Sequence, residues 1–245
     1  MGNLISRRDF VKAGTATAAL LASAPLVYAG GQETPLSLGL VGCGGRGTGA
    51  LLNALESSEN LKVGAIGDLF QHKVDEARDK LGQMNHAIPP DRAFTGFEAY
   101  KKVIASDVDV VILATPPGFR PIHFKAAVEA NKHVFLEKPV AVDPAGVRTI
   151  LEYGLKAKEK GLSVVPGTMR RYDKDYVDTV TRIREGAIGD VVAARCYWNN
   201  KGVWVKPRKP GQSEMEYQCT NWYYFTWLSG DHIVEQHIHN LDVIN

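Results

Sequence analysis

Cysteine is scarce in this sequence, and its scarcity excludes two classes of small protein. The 245 residues contain three cysteines, Cys43, Cys196 and Cys219. They are too few and too widely spaced for a disulfide framework or a zinc knuckle. Isolated cysteines of this kind usually serve as small buried hydrophobic side chains. We therefore expect a hydrophobic core to hold the fold together.

The sequence also lacks an excess of charge of one sign. It has 29 Lys and Arg against 27 Asp and Glu, a formal net charge of +2. There is no dense basic stripe that would neutralise a phosphate backbone, so we expect no nucleic-acid partner. Hydrophobic residues make up 44% and charged residues 23% of the chain, which is typical of a globular protein.

No apolar run is long enough for a stable membrane span. Residues 13–28 form a short, alanine-rich apolar run that follows Arg7 and Arg8. The small side chain of Ala29 suits a signal-peptidase cut immediately after it. This segment resembles a twin-arginine signal peptide. The resemblance predicts a signal peptide over residues 1–29, the twin-arginine export machinery as a partner, and a periplasmic location.

From Pro35 onward, short apolar runs alternate with longer helical patterns, which is typical of a parallel sheet flanked by helices. We predict a doubly wound α/β Rossmann domain over residues 35–166. After Gly167 the pattern changes, and we predict the start of an α+β open-sheet domain over residues 167–245, with an exposed-face strand at 190–198. The predicted strands of the first domain are 36–41, 61–66, 108–114, 133–136 and 163–165, and the predicted helices are 45–58, 71–81, 97–104, 121–130 and 144–160, with a further helix at 174–184.

A glycine motif joins the first predicted strand to the first predicted helix. Gly42, Gly44 and Gly47 form a G-x-G-x-x-G pattern in the strand-turn-helix context that gives the pattern meaning. Gly42 permits the tight turn, Gly44 lets the main chain approach a pyrophosphate, and Gly47 lets helix and strand pack closely. The helix N-terminus offers free N–H groups to the anion. We expect a dinucleotide here, with Gly45 and Arg46 also in contact.

Asp68 ends the second predicted strand, near the offset at which an acid meets the adenosine ribose hydroxyls. An acid there repels a 2′-phosphate, which favours NAD over NADP. Arg46 and Lys73 keep NADP possible. Because we expect no pool of free NAD(H) outside the cytoplasm, an exported protein would have to keep its dinucleotide tightly bound.

Two further motifs follow later predicted strands: Thr115-Pro116, with His123 after it, and Glu137-Lys138-Pro139. Together with the glycine motif they resemble the glucose-fructose oxidoreductase and inositol dehydrogenase family (Gfo/Idh/MocA). The resemblance implies NAD(P)-dependent oxidoreduction at a secondary hydroxyl of a sugar, cyclitol or sugar derivative. It also implies that residues of both motifs line the cofactor site and that one lysine lies beside the nicotinamide and the reacting hydroxyl. These residues are Thr115, Pro116, His123, Glu137 and Lys138.

The family's second pattern is an aspartate, a histidine four residues later and an aspartate three further on. Here Glu235, His239 and Asp242 occupy those positions, with Glu in place of the first Asp. We expect His239 to act as general base, assisted by Lys138 and Glu235, because imidazole titrates near neutral pH. Asp242 is expected to bind substrate.

On one continuous helix, His232, Glu235, His239 and Asp242 would share a face. Such a face could serve chemistry, hold a metal or contain a structural histidine. The histidine spacing matches neither H-E-x-x-H nor H-x-x-E-H, so we expect no metal.

Other residues are candidates for contact with a sugar. Arg171 and Tyr172 follow the last predicted strand of the Rossmann domain, where the family lines its substrate cleft with an arginine and an aromatic residue. The aromatic segment 222–227 fits either stacking on a pyranose ring or an apolar core.

The sequence ends inside a predicted amphipathic helix, whereas members of the family continue through a large open sheet. We therefore expect a fragment of a longer protein that forms a homo-oligomer at full length. Besides a dehydrogenase, two functions stay open: an NAD-dependent glycosidase that works by transient oxidation and elimination, and a catalytically silent dinucleotide-binding protein. Lys138 and His239 favour an enzyme.

Overall fold

The computed structural model describes residues 34–245. The predicted signal peptide over residues 1–29 lies outside the described residues. Within residues 34–245, no helix combines the length and hydropathy that crossing a bilayer requires.

Six parallel strands form one sheet in the order β3-β2-β1-β4-β5-β6. The chain starts in the middle of the sheet at β1 and proceeds to the β3 edge. It then returns to β4, beside β1, and continues to the β6 edge, as in a doubly wound fold. The alternation of apolar runs and helices therefore predicted the fold class correctly. The strands are β1 Leu36–Val41, β2 Leu61–Asp68, β3 Ala93–Thr95, β4 Val110–Leu113, β5 His133–Leu136 and β6 Val164–Pro166.

Helices cover both faces of the sheet and divide its core in two. On one face, α1 and α2 bury side chains such as Leu51 and Leu81 against the sheet. On the other face, α3, α4 and α5 bury side chains such as Val103, Phe124 and Tyr153. Burial on both faces explains why β4 reads as an unbroken apolar run. The helices are α1 Gly45–Ser57, α2 Gln71–Gln83, α3 Ala99–Ala105, α4 Arg120–Glu129 and α5 Pro144–Glu159.

The register of the strands brings four chain segments together at the carboxyl edge of the sheet. Val41 pairs with Leu113, Leu113 with Leu136, and Leu136 with Pro166. The chain therefore leaves β1, β4, β5 and β6 at the same level. Ligands bind outside this edge in open parallel sheets, at the point where the strand order reverses, which here lies between β1 and β4.

The chain after β6 contains helices and irregular segments. The alternating pattern at residues 190–198 predicted a strand, and this prediction was wrong. Residues 190–208 form no regular element, and Val192 is almost fully exposed. Within residues 34–245 no further strand lies beside this segment, so the alternation has no ladder to join. The helices of this part are α6 Lys174–Arg184, α7 Glu214–Thr220, α8 Thr226–Ser229, α9 Asp231–Glu235 and α10 Ile238–Ile244.

The predicted single helix near the end of the sequence is broken between α9 and α10. In a continuous helix the main-chain carbonyl of Glu235 would accept a hydrogen bond from the N–H of His239. Instead, this carbonyl accepts from Nζ of Lys138 at 2.5 Å, and the N–H of His239 donates to Gln236 at 3.3 Å. A contact from the Rossmann side of the structure therefore replaces a bond of the helix.

Candidate active site

The glycine motif forms the turn from β1 to α1 in a conformation that other residues would not tolerate. Gly42 has a φ of +102°, and a Cβ there would lie 2.7 Å from the main chain of Ala114. A Cβ on Gly47 would lie 1.9 Å from the carbonyl oxygen of Gly42. A Cβ on Gly44 would meet no atom within 4 Å, because this residue borders open space. Gly42 and Gly47 are thus required for packing, and Gly44 leaves room for a ligand.

The N-terminus of α1 is open toward the same space. Gly44 is its N-cap, no side chain caps it, and no acidic residue lies in its first turn. The first N–H groups of the helix and the positive end of its dipole are therefore available to an anion. This arrangement fits the pyrophosphate of a dinucleotide.

Asp68 joins the end of β2 to the glycine motif. Its carboxylate accepts hydrogen bonds from the N–H of Cys43 at 2.8 Å and from the N–H of Phe70 at 2.9 Å. Burial raises the pKa of Asp68, and these two bonds oppose that shift. The sequence predicted only a contact with ribose. The structure adds that Asp68 holds the glycine turn in place.

Thr115 and His123 are paired beyond the end of β4. The hydroxyl of Thr115 lies 3.1 Å from Nδ1 of His123, and the imidazole stacks on Tyr100 with 4.3 Å between ring centroids. Burial, followed by the charge of Arg120, lowers the pKa of His123 to about 4. The ring is therefore neutral at pH 7, and it positions Thr115, which lines the cleft described below together with Pro116.

Glu137 and Lys138 follow β5 and extend in different directions. Oε1 of Glu137 accepts from Nε of Arg46 at 2.8 Å, which links β5 to the first turn of α1. Lys138 donates from Nζ to Oε1 of Glu235 at 2.9 Å as well as to the Glu235 carbonyl. These neighbouring residues therefore connect the glycine motif to α9.

The ion pair of Lys138 and Glu235 is buried. Their side chains are 12% and 8% exposed. The second carboxylate oxygen of Glu235, Oε2, is buried and has no hydrogen-bond partner within residues 34–245. Burial and the nearby Glu235 carboxylate raise the pKa of Tyr223, which places its phenol close to this acid. A buried acceptor without a donor is costly, so Oε2 is suited to a donor from the neighbouring Tyr223 phenol or from a ligand.

Arg120 was missed in the sequence analysis. It begins α4 with only 4% of its surface exposed, and its guanidinium donates to the carbonyl of Pro139. Its charge interacts with Glu137 and Glu235, and burial lowers its pKa to about 10. A cation at the start of a helix opposes the helix dipole, and this local conflict was the signal available in the sequence.

His239 borders the same space from α10. Its ring stacks on Trp198 with 5.9 Å between centroids. Burial lowers the pKa of His239 to about 4, the charges of Lys138 and Arg170 act in the same direction, and Asp242 opposes them. A neutral imidazole therefore stands near the Lys138 ammonium group.

The remaining predicted substrate residues are placed unequally. Tyr172 borders the cleft. Arg171 forms an ion pair with Asp242 at 2.8 Å, and neither residue lines the cleft. The break between α9 and α10 also separates His232 from His239, so the shared helix face predicted for His232, Glu235, His239 and Asp242 does not form. Within residues 34–245 no group of three His, Cys, Asp or Glu side chains is arranged to hold a metal ion.

One cleft of about 1100 Å³ brings these side chains together. Small-ligand pockets usually measure roughly 300–1,000 Å³, so this one has room for an extended dinucleotide. One wall comes from the carboxyl edge of the sheet and the other from residues 204–239. The predicted site residues that line it are Gly42, Gly44, Gly45, Arg46, Asp68, Thr115, Pro116, His123, Glu137, Lys138, Tyr172, Glu235 and His239.

Comparison with known proteins gives a family match over the sheet. Residues 36–167 match the model of the Gfo/Idh/MocA family, described as an oxidoreductase family with an NAD-binding Rossmann fold. Inositol 2-dehydrogenase of Klebsiella pneumoniae (strain 342) is 30% identical over 168 residues, which cover 69% of this chain and 47% of that protein. Inositol 2-dehydrogenase of Salmonella typhimurium is 32% identical over 155 residues, which cover 63% of this chain and 43% of that protein. The chain thus spans about half the length of these relatives.

Solved structures support the fold. The apo scyllo-inositol dehydrogenase of Lactobacillus casei superposes with a TM-score of 0.61 at 22% identity, over 87% of this chain and 55% of that one. The same enzyme with bound NAD(H) and scyllo-inositol superposes with a TM-score of 0.53 at 26% identity, over 64% of this chain and 43% of that one.

Two glycines of α1 should respond oppositely to the same substitution. Gly47→Ala forces its new methyl group against the Gly42 carbonyl, and we expect a loss of about 1–3 kcal/mol in the free energy of unfolding. Gly49→Ala is the control, because its methyl group meets no atom within 4 Å, and we expect a gain of about 0.5–1 kcal/mol. Urea denaturation followed by circular dichroism measures both. Equal stability of the two variants would contradict the assigned packing role of Gly47.

His123 should make stability depend on pH. Its pKa is about 4 in the fold against 6.5 for the unperturbed group, so only the unfolded chain takes up a proton between these values. The contribution of the neutral His123 ring to the free energy of unfolding is therefore fully present above pH 6.5 and is lost as the pH falls toward 4. The stability of wild type relative to His123→Gln should therefore fall between pH 6.5 and 4.5, by at most about 1.4 kcal/mol per pH unit. Urea titrations across this pH range measure both proteins. A difference in stability between wild type and His123→Gln that stays constant would rule out a buried neutral ring.

Proposed function

The chain belongs to the Gfo/Idh/MocA oxidoreductase family, and from this membership we propose that it transfers hydride between a nicotinamide dinucleotide and a secondary hydroxyl of a sugar, cyclitol or sugar derivative. The observation that carries the proposal is the buried ion pair of Lys138 and Glu235, which lies in the same cleft as the glycine motif. A binding site for the cofactor and an acid–base group thus share one cavity.

The residues of the sheet edge fit NAD. The open N-terminus of α1 and the space beside Gly44 suit its pyrophosphate, and Asp68 suits the ribose hydroxyls of its adenosine. We propose NAD rather than NADP, because the Asp68 carboxylate would repel a 2′-phosphate. When bound, NAD⁺ supplies the hydride acceptor for oxidation of an alcohol.

The opposite end of the cleft is suited to a hydroxylated substrate. We propose that the Lys138 ammonium group donates a hydrogen bond to the reacting oxygen, because Glu235 holds it in place. Oε2 of Glu235 would accept from a substrate hydroxyl, which supplies its missing donor. The relatives named inositol dehydrogenases favour a cyclitol among the possible substrates.

We propose His239 as the group that takes the hydroxyl proton when the carbon loses hydride. Its low pKa keeps the imidazole in the basic form at neutral pH. The same low pKa makes it a weak base, and the Lys138 cation compensates because it stabilises negative charge developing on the oxygen. Tyr172 would contact the substrate ring. Arg171 and Asp242 would act through their ion pair, which ties α10 to the turn after β6.

Removal of the Lys138 ammonium group should stop turnover. We expect Lys138→Met to lower kcat for inositol oxidation at least about a hundredfold, the range for loss of an acid–base group, and to change NAD⁺ affinity by only a few-fold. Turnover is measured by cofactor reduction and affinity by calorimetry, with thermal unfolding as a check on folding. Lys125→Met is the control, because Lys125 lies half-exposed on α4.

Full turnover by Lys138→Met would refute the role of Lys138. A wild-type chain that binds no NAD⁺ would refute the proposed oxidoreductase.

We further propose that residues 1–29 direct export through the twin-arginine machinery, that the exported protein keeps NAD tightly bound, and that the full-length protein forms a homo-oligomer. The support for export is the Arg7-Arg8 pair before an apolar run. Export of a folded, loaded protein would remove the need for free NAD(H) outside the cytoplasm.

The arginine pair gives a direct test of export. We expect Arg7→Lys with Arg8→Lys to keep the protein in the cytoplasmic fraction, because the twin-arginine route reads the pair and not its charge. Lys12→Arg is the control in the same segment. Both are scored by cell fractionation and immunoblotting, and periplasmic recovery of the double variant would argue against this route.

A further inference from the structure

The cleft wall opposite the sheet edge carries two indoles, Trp204 and Trp222, which we call the indole pair. The two ring centroids lie 6.2 Å apart, and the ring planes meet at 62°, so the rings form a corner. Of the Trp204 side, 44% remains exposed. Neither indole belongs to the glycine motif or to the acid–base group. The indole pair is therefore an aromatic surface of the cleft that the proposed chemistry does not use.

Hydrogen bonds fix the irregular segment that carries Trp204. Asn221, which is 2% exposed, accepts from the N–H of Lys206 at 2.8 Å and donates to its carbonyl at 3.0 Å. The Tyr224 hydroxyl donates to the carbonyl of Val203 at 2.6 Å. These bonds hold the main chain on both sides of Trp204. They replace the backbone bonds that an irregular segment lacks, so the indole has a defined position.

Ring contacts connect the indole pair to Glu235. Both indoles pack on Tyr223, whose ring centroid lies 5.5 Å from that of Trp222 and 6.4 Å from that of Trp204. Tyr223 also lines a small cavity of about 240 Å³ together with Gln236, the residue after Glu235. Burial and the Glu235 carboxylate raise the pKa of Tyr223, which agrees with this position. The indole pair therefore lies toward the end of the cleft that contains Glu235.

The same small cavity relates Tyr223 to His239. Trp198 lines this cavity as Tyr223 does, and the Trp198 ring stacks on His239 with 5.9 Å between centroids. Residues around so small a space lie close together. The indole pair, Glu235 and His239 all face the larger cleft as well. Aromatic walls and a few polar groups thus meet at one end of the cleft, as is typical of a site for a small organic ligand.

We propose that the indole pair stacks on the substrate and selects cyclitols and pyranoses whose ring presents an unbroken face of C–H bonds. This proposal rests on the proposed function, because it assumes that a hydroxylated substrate lies beside Lys138. The face of an indole carries negative charge and attracts the weakly positive hydrogens of such a ring. A six-membered ring with equatorial hydroxyls directs C–H bonds to its faces and hydroxyls to its edge. It can therefore stack on an indole while its edge hydroxyls reach Lys138 and Glu235.

The test compares a ring with an open chain. The ring probes are scyllo-inositol and methyl β-glucoside, whose ring substituents are all equatorial, and sorbitol has the hydroxyls of scyllo-inositol without a ring. Their affinities for the 245-residue chain loaded with NADH, which prevents turnover of an alcohol, are measured by calorimetry. We expect Trp204→Ala to weaken the tighter-binding ring about tenfold and to leave sorbitol, AMP and NADH unchanged. Trp227→Ala is the matched control, because Trp227 is 43% exposed and does not line the cleft within residues 34–245.

A second variant covers misfolding of the first. Trp204→Phe keeps a smaller aromatic face, and we expect its affinity for the ring to lie between those of wild type and Trp204→Ala. Unchanged affinity for the ring in Trp204→Ala would overturn the stacking role, and so would equal weakening of the ring and of sorbitol. Weakening of AMP with unchanged ring affinity would assign Trp204 to the cofactor instead.

Two results with the wild type separate this proposal from the proposed function. A wild type that binds NADH but neither ring probe would overturn the role of the indole pair and leave the cofactor site standing. A wild type that binds no NADH would overturn the proposed function and the indole pair together.

Discussion

The buried ion pair of Lys138 and Glu235 is the contact on which the arrangement of the cleft depends. It joins the second residue after β5 to the last residue of α9, almost a hundred positions later. The Lys138 ammonium group donates to the main-chain carbonyl of Glu235 as well as to its carboxylate. It therefore fixes the position of α9 and also ends this helix. Removing one partner of a buried pair of this kind costs about 3–5 kcal/mol, because the other charge remains buried alone. The two walls of the cleft are thereby held at one separation.

A second constraint is the level at which the parallel strands end. Because β1, β4 and β5 stop together, the glycine turn, the Thr115 turn and Glu137 become neighbours without any contact between side chains. Side-chain bonds then lock these turns to one another, from Asp68 to the glycine motif and from Glu137 to Arg46. The sheet supplies the approximate positions, and a few buried polar groups set the final ones.

The parts of this structure that sequence alone predicted are those set by local chemistry. β1, β5 and α6 have the predicted bounds because apolar runs and helical periodicity act within a few residues. The prediction of a strand at 190–198 failed because a strand needs a hydrogen-bonded partner strand. The alternation of side chains does not show whether such a partner exists. The prediction of one continuous helix across Glu235 failed for a related reason. The residue that breaks the helix, Lys138, is distant in sequence.

The double role of Asp68 bears on how the nucleotide preference of such a protein could change over evolutionary time. A carboxylate that only faced ribose could be exchanged for a small neutral residue in a single step. Here the same carboxylate accepts hydrogen bonds from the main-chain N–H groups of Cys43 and Phe70, one on each oxygen, and no neutral side chain offers two acceptor oxygens. Its loss would loosen the turn that cradles phosphate. A lineage that came to bind the 2′-phosphorylated nucleotide would therefore have to rebuild the turn as well. We expect the preference for the unphosphorylated nucleotide to change slowly in evolution.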